Sequence, residues 1–336
     1  MNIFICQTPF QGFYAKRIIE NICLSSKNQQ QFVIYHSGFE DILDLEGVRL
    51  INLDIKQGFL SSYSKFRSAI RFIRNIRNTG KEVNFFIPHR GGLIANYIFH
   101  NQAFNDNDKV FINFYYEGIL YLYDYKEPLK SFHHKRFVLG ILCGFKYKRN
   151  ELILPYNSDR INKIYTPIKK YTKGPIEKLI KVEFKRQEGI KDKSNVHLIL
   201  GGPVSFIKEL YNEAIDEIFA EHEFVNSSSQ EIYYKGHGSF KTHNSDFENI
   251  FANISKSRKI KYKELNLLTP MEDLIHEISP CCIYSYYSSA LLNIRLMGYD
   301  DIKIICYISE KEVIQPVILQ AFKEYNIIIK NFKNEN

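Results

Sequence analysis

In the stretch YYKGHGS, residues 233–239, an ammonium (Lys235) and an imidazole (His237) stand two positions apart, each followed by a glycine, where a short apolar run ends. A protonated imidazole can neutralise a departing phosphate and donate a proton to it, and the lysine adds charge or a donor to a base. Gly236 and Gly238 suit a backbone that turns sharply or lets a ligand come close. A structural loop histidine is the competing reading of His237, and His243 reads as ordinary loop. A second stretch, FINFYYEGILYLYDY, sets Glu117 directly before Gly118 at the exit of a strand-like run. That is a position for a general base. An exposed loop carboxylate is the alternative, and Asp124, among tyrosines, is the reserve candidate.

Three other stretches could hold a ligand. QTPFQG follows the first strand-like run, and its Thr8-Pro9 pair can present a hydroxyl and free backbone groups to a ligand, or be a plain turn. TPMEDLI puts Glu272 two positions after Pro270, where a helix can begin. YSYYSSALLNIRLMG sets Ser288 and Ser289 at a helix start, where hydroxyls and free N–H groups make a phosphate site. N-capping accounts for one of the two serines and leaves the other hydroxyl spare. No dinucleotide-binding or Walker glycine pattern follows the first strand.

Alternating elements must carry these residues. Apolar runs NIFIC, QFVIYH, VRLINL, VNFFIP and KVFINFYY alternate in the first half with helical patterns such as 12–23 and 64–78. The second half restarts with NVHLILGGP, EIYYKGHG, CCIYSYY and IKIICYI, a helix near 310–325, and NIIIK. This is the signature of βαβ units around parallel sheets. The expected fold is α/β, two Rossmann-like parallel-sheet domains facing a central cleft, with ligands outside the carboxyl ends of the strands. The boundaries expected are 1–155 for the first domain, 156–194 for a basic linker region with little strand signal, and 195–336 for the second. Lys169, Lys170, Lys173, Lys178, Lys181, Lys185, Arg186, Lys191 and Lys193 lie in that linker region.

The 336 residues suit two domains, and 45 basic against 37 acidic residues give a net charge of +8, which favours an anionic partner. Cys6, Cys23, Cys143, Cys281, Cys282 and Cys306 sit in apolar runs without metal-ligand spacing or a disulfide framework, as expected of reduced cytoplasmic thiols. The opening residues lack the pattern of a secretion signal, and no apolar run is long enough for a membrane helix. In SKFRSAIRFIRNIRNTGK, Phe66, Ile70, Ile73 and Ile76 fall on one side of a helix and Arg67, Arg71, Arg74 and Arg77 on the other. The basic side is a solvated face or a contact with anionic lipid on the inner face of a membrane. No nucleic-acid reading motif accompanies the charge.

The order of these motifs resembles the bacterial GT-B sialyltransferases, most closely the lipooligosaccharide, capsule and O-antigen group. Those proteins open with a strand and a T-P-L-Q turn, here Thr8-Pro9-Phe10-Gln11. They then carry an acidic-acidic-Gly motif (Tyr116-Glu117-Gly118), K-x-H-P (Lys235-Gly236-His237-Gly238), P-x-E (Pro270-Met271-Glu272) and a serine motif (Ser288-Ser289). The first acidic position is therefore Tyr116, and the proline after the histidine is Gly238. The resemblance implies a GT-B fold and inverting transfer of sialic acid from CMP-sialic acid to a terminal galactoside of a surface glycan. It implies that Glu117 takes the acceptor proton, His237 serves the leaving phosphate and Lys235 approaches the cytosine. Glu272 would hold the ribose, Ser288 and Ser289 the phosphate, and Thr8, Pro9 and Gln11 would lie near donor and acceptor sugars. No cofactor and no metal is expected, because the donor is already activated and its CMP leaves as a phosphate monoester. Transfer of another CMP-activated acidic sugar such as Kdo is the close variant. A non-catalytic glycan- or membrane-binding protein is the alternative of a different class. Nucleic acid is not an expected partner, and a homodimer is compatible with the sequence.

Overall fold

The computed structural model describes all residues except 24–29, 36–44, 54–58, 78, 102–103, 105–108, 127–131, 150–151, 153, 185–195, 203, 205, 221–230, 238–248 and 333–336. Gly238, His243, Lys185, Arg186, Lys191 and Lys193 lie outside the described residues. The chain divides into two compact units, Met1–Glu183 and Phe184–Asn336.

The first unit is built on seven parallel strands: β1 (Asn2–Cys6), β2 (Gln31–Tyr35), β3 (Val48–Asn52), β4 (Val83–Ile87), β5 (Val110–Tyr115), β6 (Ile161–Thr166) and β7 (Leu179–Lys181). Their order is β3-β2-β1-β4-β5-β6-β7. β1 and β2 are buried at every residue, as strands covered by helices on both faces must be, and this explains their unbroken apolar runs. Among the described residues the flanking helices are α1 (Pro9–Ile18), α2 (Phe59–Arg77), α3 (Leu93–His100) and α4 (Phe132–Leu142). The expected helix over 12–23 is α1 followed by a π-helical turn at Ile19–Cys23. In α2, Phe66, Ile70, Ile73 and Ile76 are buried, while Arg67, Arg71 and Arg74 are exposed, as the 3.6-residue period dictates.

The second unit repeats the plan with β8 (Val196–Leu200), β9 (Glu231–Lys235), β10 (Lys263–Glu264), β11 (Cys282–Tyr286), β12 (Lys303–Ser309) and β13 (Ile328–Phe332). Its order is β10-β9-β8-β11-β12-β13, again parallel throughout. Its helices are α5 (Ile207–Ala220), α6 (Ile250–Ser257), α7 (Met271–Ile278), α8 (Ser289–Leu296) and α9 (Pro316–Glu324). In each sheet the strand order therefore reverses once, between β1 and β4 and between β8 and β11. At such a switch point the loops leaving neighbouring strands diverge and open a crevice at the carboxyl edge.

The basic stretch 156–194 differs from its expectation as a linker. It supplies β6 and β7 to the first sheet, and the division between units falls at Glu183 and Phe184. β6 reads INKIYT, with Asn162 and Lys163 exposed between buried Ile161 and Ile164; β7 is a three-residue edge strand. Two adjacent polar residues and one very short strand give no clean period of two, so the lysines dominate the pattern.

Replacing Ile73, which is fully buried on α2, with Ala should lower unfolding stability by about 2–5 kcal/mol through lost burial and the cavity left behind. Arg71→Ala on the opposite face should stay within about 0.5 kcal/mol. Urea unfolding of both variants checks the assignment of the two faces.

Candidate active site

In the first unit the loops after β1, β4 and β5 converge on one carboxylate. The chain leaving β5 passes Tyr116, whose side chain is fully buried and whose N–H donates to the Tyr165 carbonyl at 2.9 Å. Glu117 follows, and Gly118 at φ +83° turns the backbone into a short 3₁₀ helix, Gly118–Leu122. The acidic-pair position held by Tyr116 thus faces the core, while Glu117 keeps a side chain 15 % exposed.

Two side chains hold Glu117. Gln11 Nε2 donates to its Oε1 at 2.5 Å, and Gln7 N–H donates to Gln11 Oε1 at 2.6 Å, so the amide orientation is fixed from both ends. Gln11 stands in the first turn of α1, whose N-cap is Thr8, its Oγ1 accepting from Gln11 N–H at 3.3 Å, with Pro9 as the first helical residue. The T-P-F-Q turn is therefore a capped helix start that aims Gln11 at Glu117. The second partner is His89, whose Nε2 lies 3.4 Å from Glu117 Oε2. His89 Nδ1 accepts from Gly91 N–H at 2.8 Å, which leaves the imidazole proton on Nε2, facing the carboxylate. Glu117 Oε2 makes no hydrogen bond. Burial raises the Glu117 pKa above its ordinary value, against the smaller opposing pulls of His89 and Gln11.

The loop carrying His89 is held at several points. Tyr121 Oη donates to the Pro88 carbonyl at 2.6 Å, Arg90 Nε to the Leu152 carbonyl at 2.8 Å, and both Arg136 Nη1 (2.7 Å) and Tyr147 Oη (2.9 Å) to the Gly91 carbonyl. His89 was missed in the sequence because it lies past the end of an apolar run, in IPHRGG, with no motif around it. Its signal is topological: it leaves β4 beside the switch point, next to the chain leaving β1. Asp124, the reserve base, is 57 % exposed and 3.7 Å from Lys173, a surface ion pair.

In the second unit Lys235 ends β9 and is 9 % exposed, with Nζ donating to the Asn266 and Leu267 carbonyls at 2.8 and 3.2 Å. Burial pulls its pKa down to about 8, opposed by the Glu272 charge. His237, two residues on, is held below its usual pKa by burial and then by the Lys235 charge. Glu272, in the first turn of α7 and 5 % exposed, accepts from Asn293 Nδ2 of α8 at 2.7 Å. Burial raises its pKa, with the Asn293 hydrogen bond the largest opposing pull. Ser288 is the N-cap of α8, its Oγ accepting from Ala290 N–H at 3.3 Å, and Ser289 is the first helical residue. Capping occupies the Ser288 hydroxyl, one of the two uses open to it from the sequence.

The chain leaving β8 is tightly approached. A Cβ on Gly201 would meet Tyr211 Oη at 2.5 Å, and one on Gly202 would meet the Tyr286 ring at 2.2 Å. These glycines let β8, β9 and β11 crowd together at their carboxyl ends, with Gly201 N–H donating to the Lys235 carbonyl at 2.8 Å. Gly236 follows Lys235 directly and is buried. The structure thus joins Gln11 with Glu117 in one unit and Lys235 with His237 and Glu272 in the other. Among the described residues no group of three or more His, Cys, Asp or Glu side chains is arranged to hold a metal ion, and no described helix is long and apolar enough to cross a membrane. Cys6, Cys143, Cys281, Cys282 and Cys306 form no disulfide.

No protein-family model and no curated protein sequence matches the chain. Solved structures do. The UDP-GlcNAc 2-epimerase of Methanocaldococcus jannaschii superposes with a TM-score of 0.54 at 12% identity, over 98% of this chain and 89% of that one. A Listeria monocytogenes protein assigned as a UDP-N-acetylglucosamine 2-epimerase gives 0.53 at 11% identity, over 91% and 78%. At these identities the likeness concerns the fold. Together with the two parallel sheets, it identifies the fold as GT-B, built from two Rossmann-like domains.

Because the folded Glu117 pKa lies above its ordinary value of 4.5, the native chain holds the extra proton between those two values. Stability contributed by this group is full below the ordinary value and is lost as pH rises through the folded one. Glu117→Gln should remove that part of the pH dependence in denaturant titrations. In a ¹³C NMR titration the Glu117 carboxyl should titrate above the ordinary carboxylate range, and higher still in Gln11→Ala, which lacks the amide donor.

Proposed function

We propose that the chain is an inverting glycosyltransferase that transfers sialic acid from CMP-sialic acid to a terminal galactoside of a bacterial surface glycan, acting in the cytoplasm. The observation that carries a transferase reading is Glu117: a buried carboxylate with raised proton affinity and an oxygen left without a hydrogen bond, at the carboxyl edge of a parallel sheet. Motif order supplies the donor, because Lys235, His237, Glu272 and Ser288-Ser289 follow it as in the sialyltransferase pattern.

In the reaction the acceptor hydroxyl gives its proton to Glu117 as its oxygen forms a bond to the anomeric carbon of the donor. The bond from that carbon to the phosphate oxygen breaks, and CMP leaves with the electron pair. Gln11 holds the carboxylate, and His89 keeps an N–H against it, which disperses the negative charge until the proton arrives. His237 and Lys235 face the leaving group. Burial has already lowered the proton affinity of both, so a phosphate dianion beside them restores their charge, and binding is coupled to proton uptake. Ser289 and the free N–H groups of α8 add donors to the phosphate. Glu272 serves the ribose, Gly236 lets the nucleotide approach β9, and Thr8 and Pro9 hold the turn beside the sugars. The chemistry requires no cofactor, since the donor is already activated. The first domain supplies the base and the second the nucleotide site.

Incubation with CMP-sialic acid and a galactoside should release CMP and form the sialylated product. Glu117→Gln should lower kcat by about 10²–10⁴-fold with donor binding retained, and His237→Ala should lower CMP release. Preference for CMP-Kdo would replace the sugar but keep the mechanism. Turnover of UDP-GlcNAc, with none on any CMP-sugar, would overturn the donor assignment. CMP affinity should also fall as pH rises through about 8, where Lys235 loses its proton, and this decline should be absent in Lys235→Met, as read by calorimetry.

A further inference from the structure

Among the described residues, the first unit carries its large exposed apolar side chains mostly on one helix. α4 leaves Phe137 40 %, Val138 45 %, Ile141 55 % and Leu142 46 % exposed. Spacings of three and four residues put Val138 beside Ile141 and Leu142, and Phe137 beside Ile141, in one continuous stripe. The inner face of the helix is fastened. Gly140 is buried where a Cβ would lie 3.2 Å from Tyr147 and from the Phe145 carbonyl, and Arg136 donates to the Gly91 carbonyl. The orientation of α4 is therefore fixed from inside, and its apolar stripe is presented outward, the reverse of a surface helix on a soluble domain.

Basic residues flank the stripe along the chain. His134 and Lys135 are exposed at its start, and Lys146, Lys148 and Arg149 just beyond its end. The basic helix α2 joins them: Arg74 Nη2 donates to the Gly144 carbonyl at 2.9 Å, and the Arg67 charge acts on the Cys143 thiol. Arg67 and Arg71 are both exposed. Neither residues 59–77 nor residues 132–149 contain an Asp or Glu. This charge pattern decides what can cover the stripe. A second copy docked face to face would set one basic rim against another. A surface of phosphate head groups over acyl chains is complementary in both respects, attracting the rim and accepting the four side chains at the head-group boundary.

We propose that the outer face of α4, with its basic rim from α2 and residues 146–149, docks on an anionic lipid bilayer. Docking of this kind is peripheral: the side chains enter the interface and no segment crosses. It is independent of the transferase reading, because it rests on a different helix and needs no substrate.

The full chain is mixed with vesicles of phosphatidylcholine alone and with vesicles in which phosphatidylglycerol replaces a third of it, and binding is read by flotation. Binding at least tenfold stronger to the anionic vesicles and weakened by salt is the expected result. The double variant Phe137→Ser/Ile141→Ser and the charge reversal Arg67→Glu/Arg71→Glu should each weaken it, the latter by about fivefold or more per residue changed. Unchanged circular dichroism and melting temperature show that both variants fold, as expected for exposed positions. Equal binding to neutral and anionic vesicles, or none to either, overturns the proposal. So does a concentration-dependent dimer in size-exclusion chromatography that Ile141→Ser dissolves, since the stripe would then belong to a second copy.

Discussion

A carboxylate can be kept out of water only where other groups answer for its charge, and the first domain is arranged around that requirement at Glu117. Desolvation alone would leave the group permanently protonated and useless as a base. One amide donor and one imidazole N–H reduce the penalty without cancelling it, since the remaining shift is still upward. Each has its own support. Gln11 is aimed by the capped start of α1 and locked by Gln7 N–H; His89 is aimed by Gly91 N–H, on a loop fastened by Tyr121, Arg90, Arg136 and Tyr147. Three strand exits are held in register so that one oxygen remains available.

The second domain applies the opposite sign of the same physics. Lys235 and His237 are basic groups placed where burial disfavours their charged forms, and Glu272, whose charge acts on Lys235, is itself buried and bonded to Asn293. An anion placed beside such a pair would raise the proton affinity of both groups. The close approach of Tyr286 and Tyr211 to Gly202 and Gly201 draws β8, β9 and β11 together, and so places these groups at a single edge.

Much of this was legible in the sequence, for identifiable reasons. Strands buried on both faces read as unbroken apolar runs, so β1, β2, β4, β5, β8, β11 and β12 stood out. α2 stood out because its arginines and isoleucines obey one helical period. β6 and β7 did not, because Asn162 and Lys163 interrupt one and the other is three residues long at a sheet edge. Glu117 was marked by the glycine after it, whose positive φ the turn requires. Its partner His89 carries no local mark, since what makes it a partner is the crossing of the chain from β4 to the neighbourhood of β1. Gln11 was noticed with its motif, but its work on Glu117, over a separation of 106 residues, is written only in the fold. The apolar stripe of α4 was likewise illegible: a run such as FVLGIL signals burial, and only its surroundings show it uncovered.

The pH dependence of kcat/KM for sialyl transfer tests the central claim most directly. If Glu117 is the base and burial sets its proton affinity, the acid limb lies above the ordinary carboxylate range and moves higher in Gln11→Ala. A limb at the ordinary carboxylate value, or one that ignores the loss of the Gln11 amide, would contradict the account.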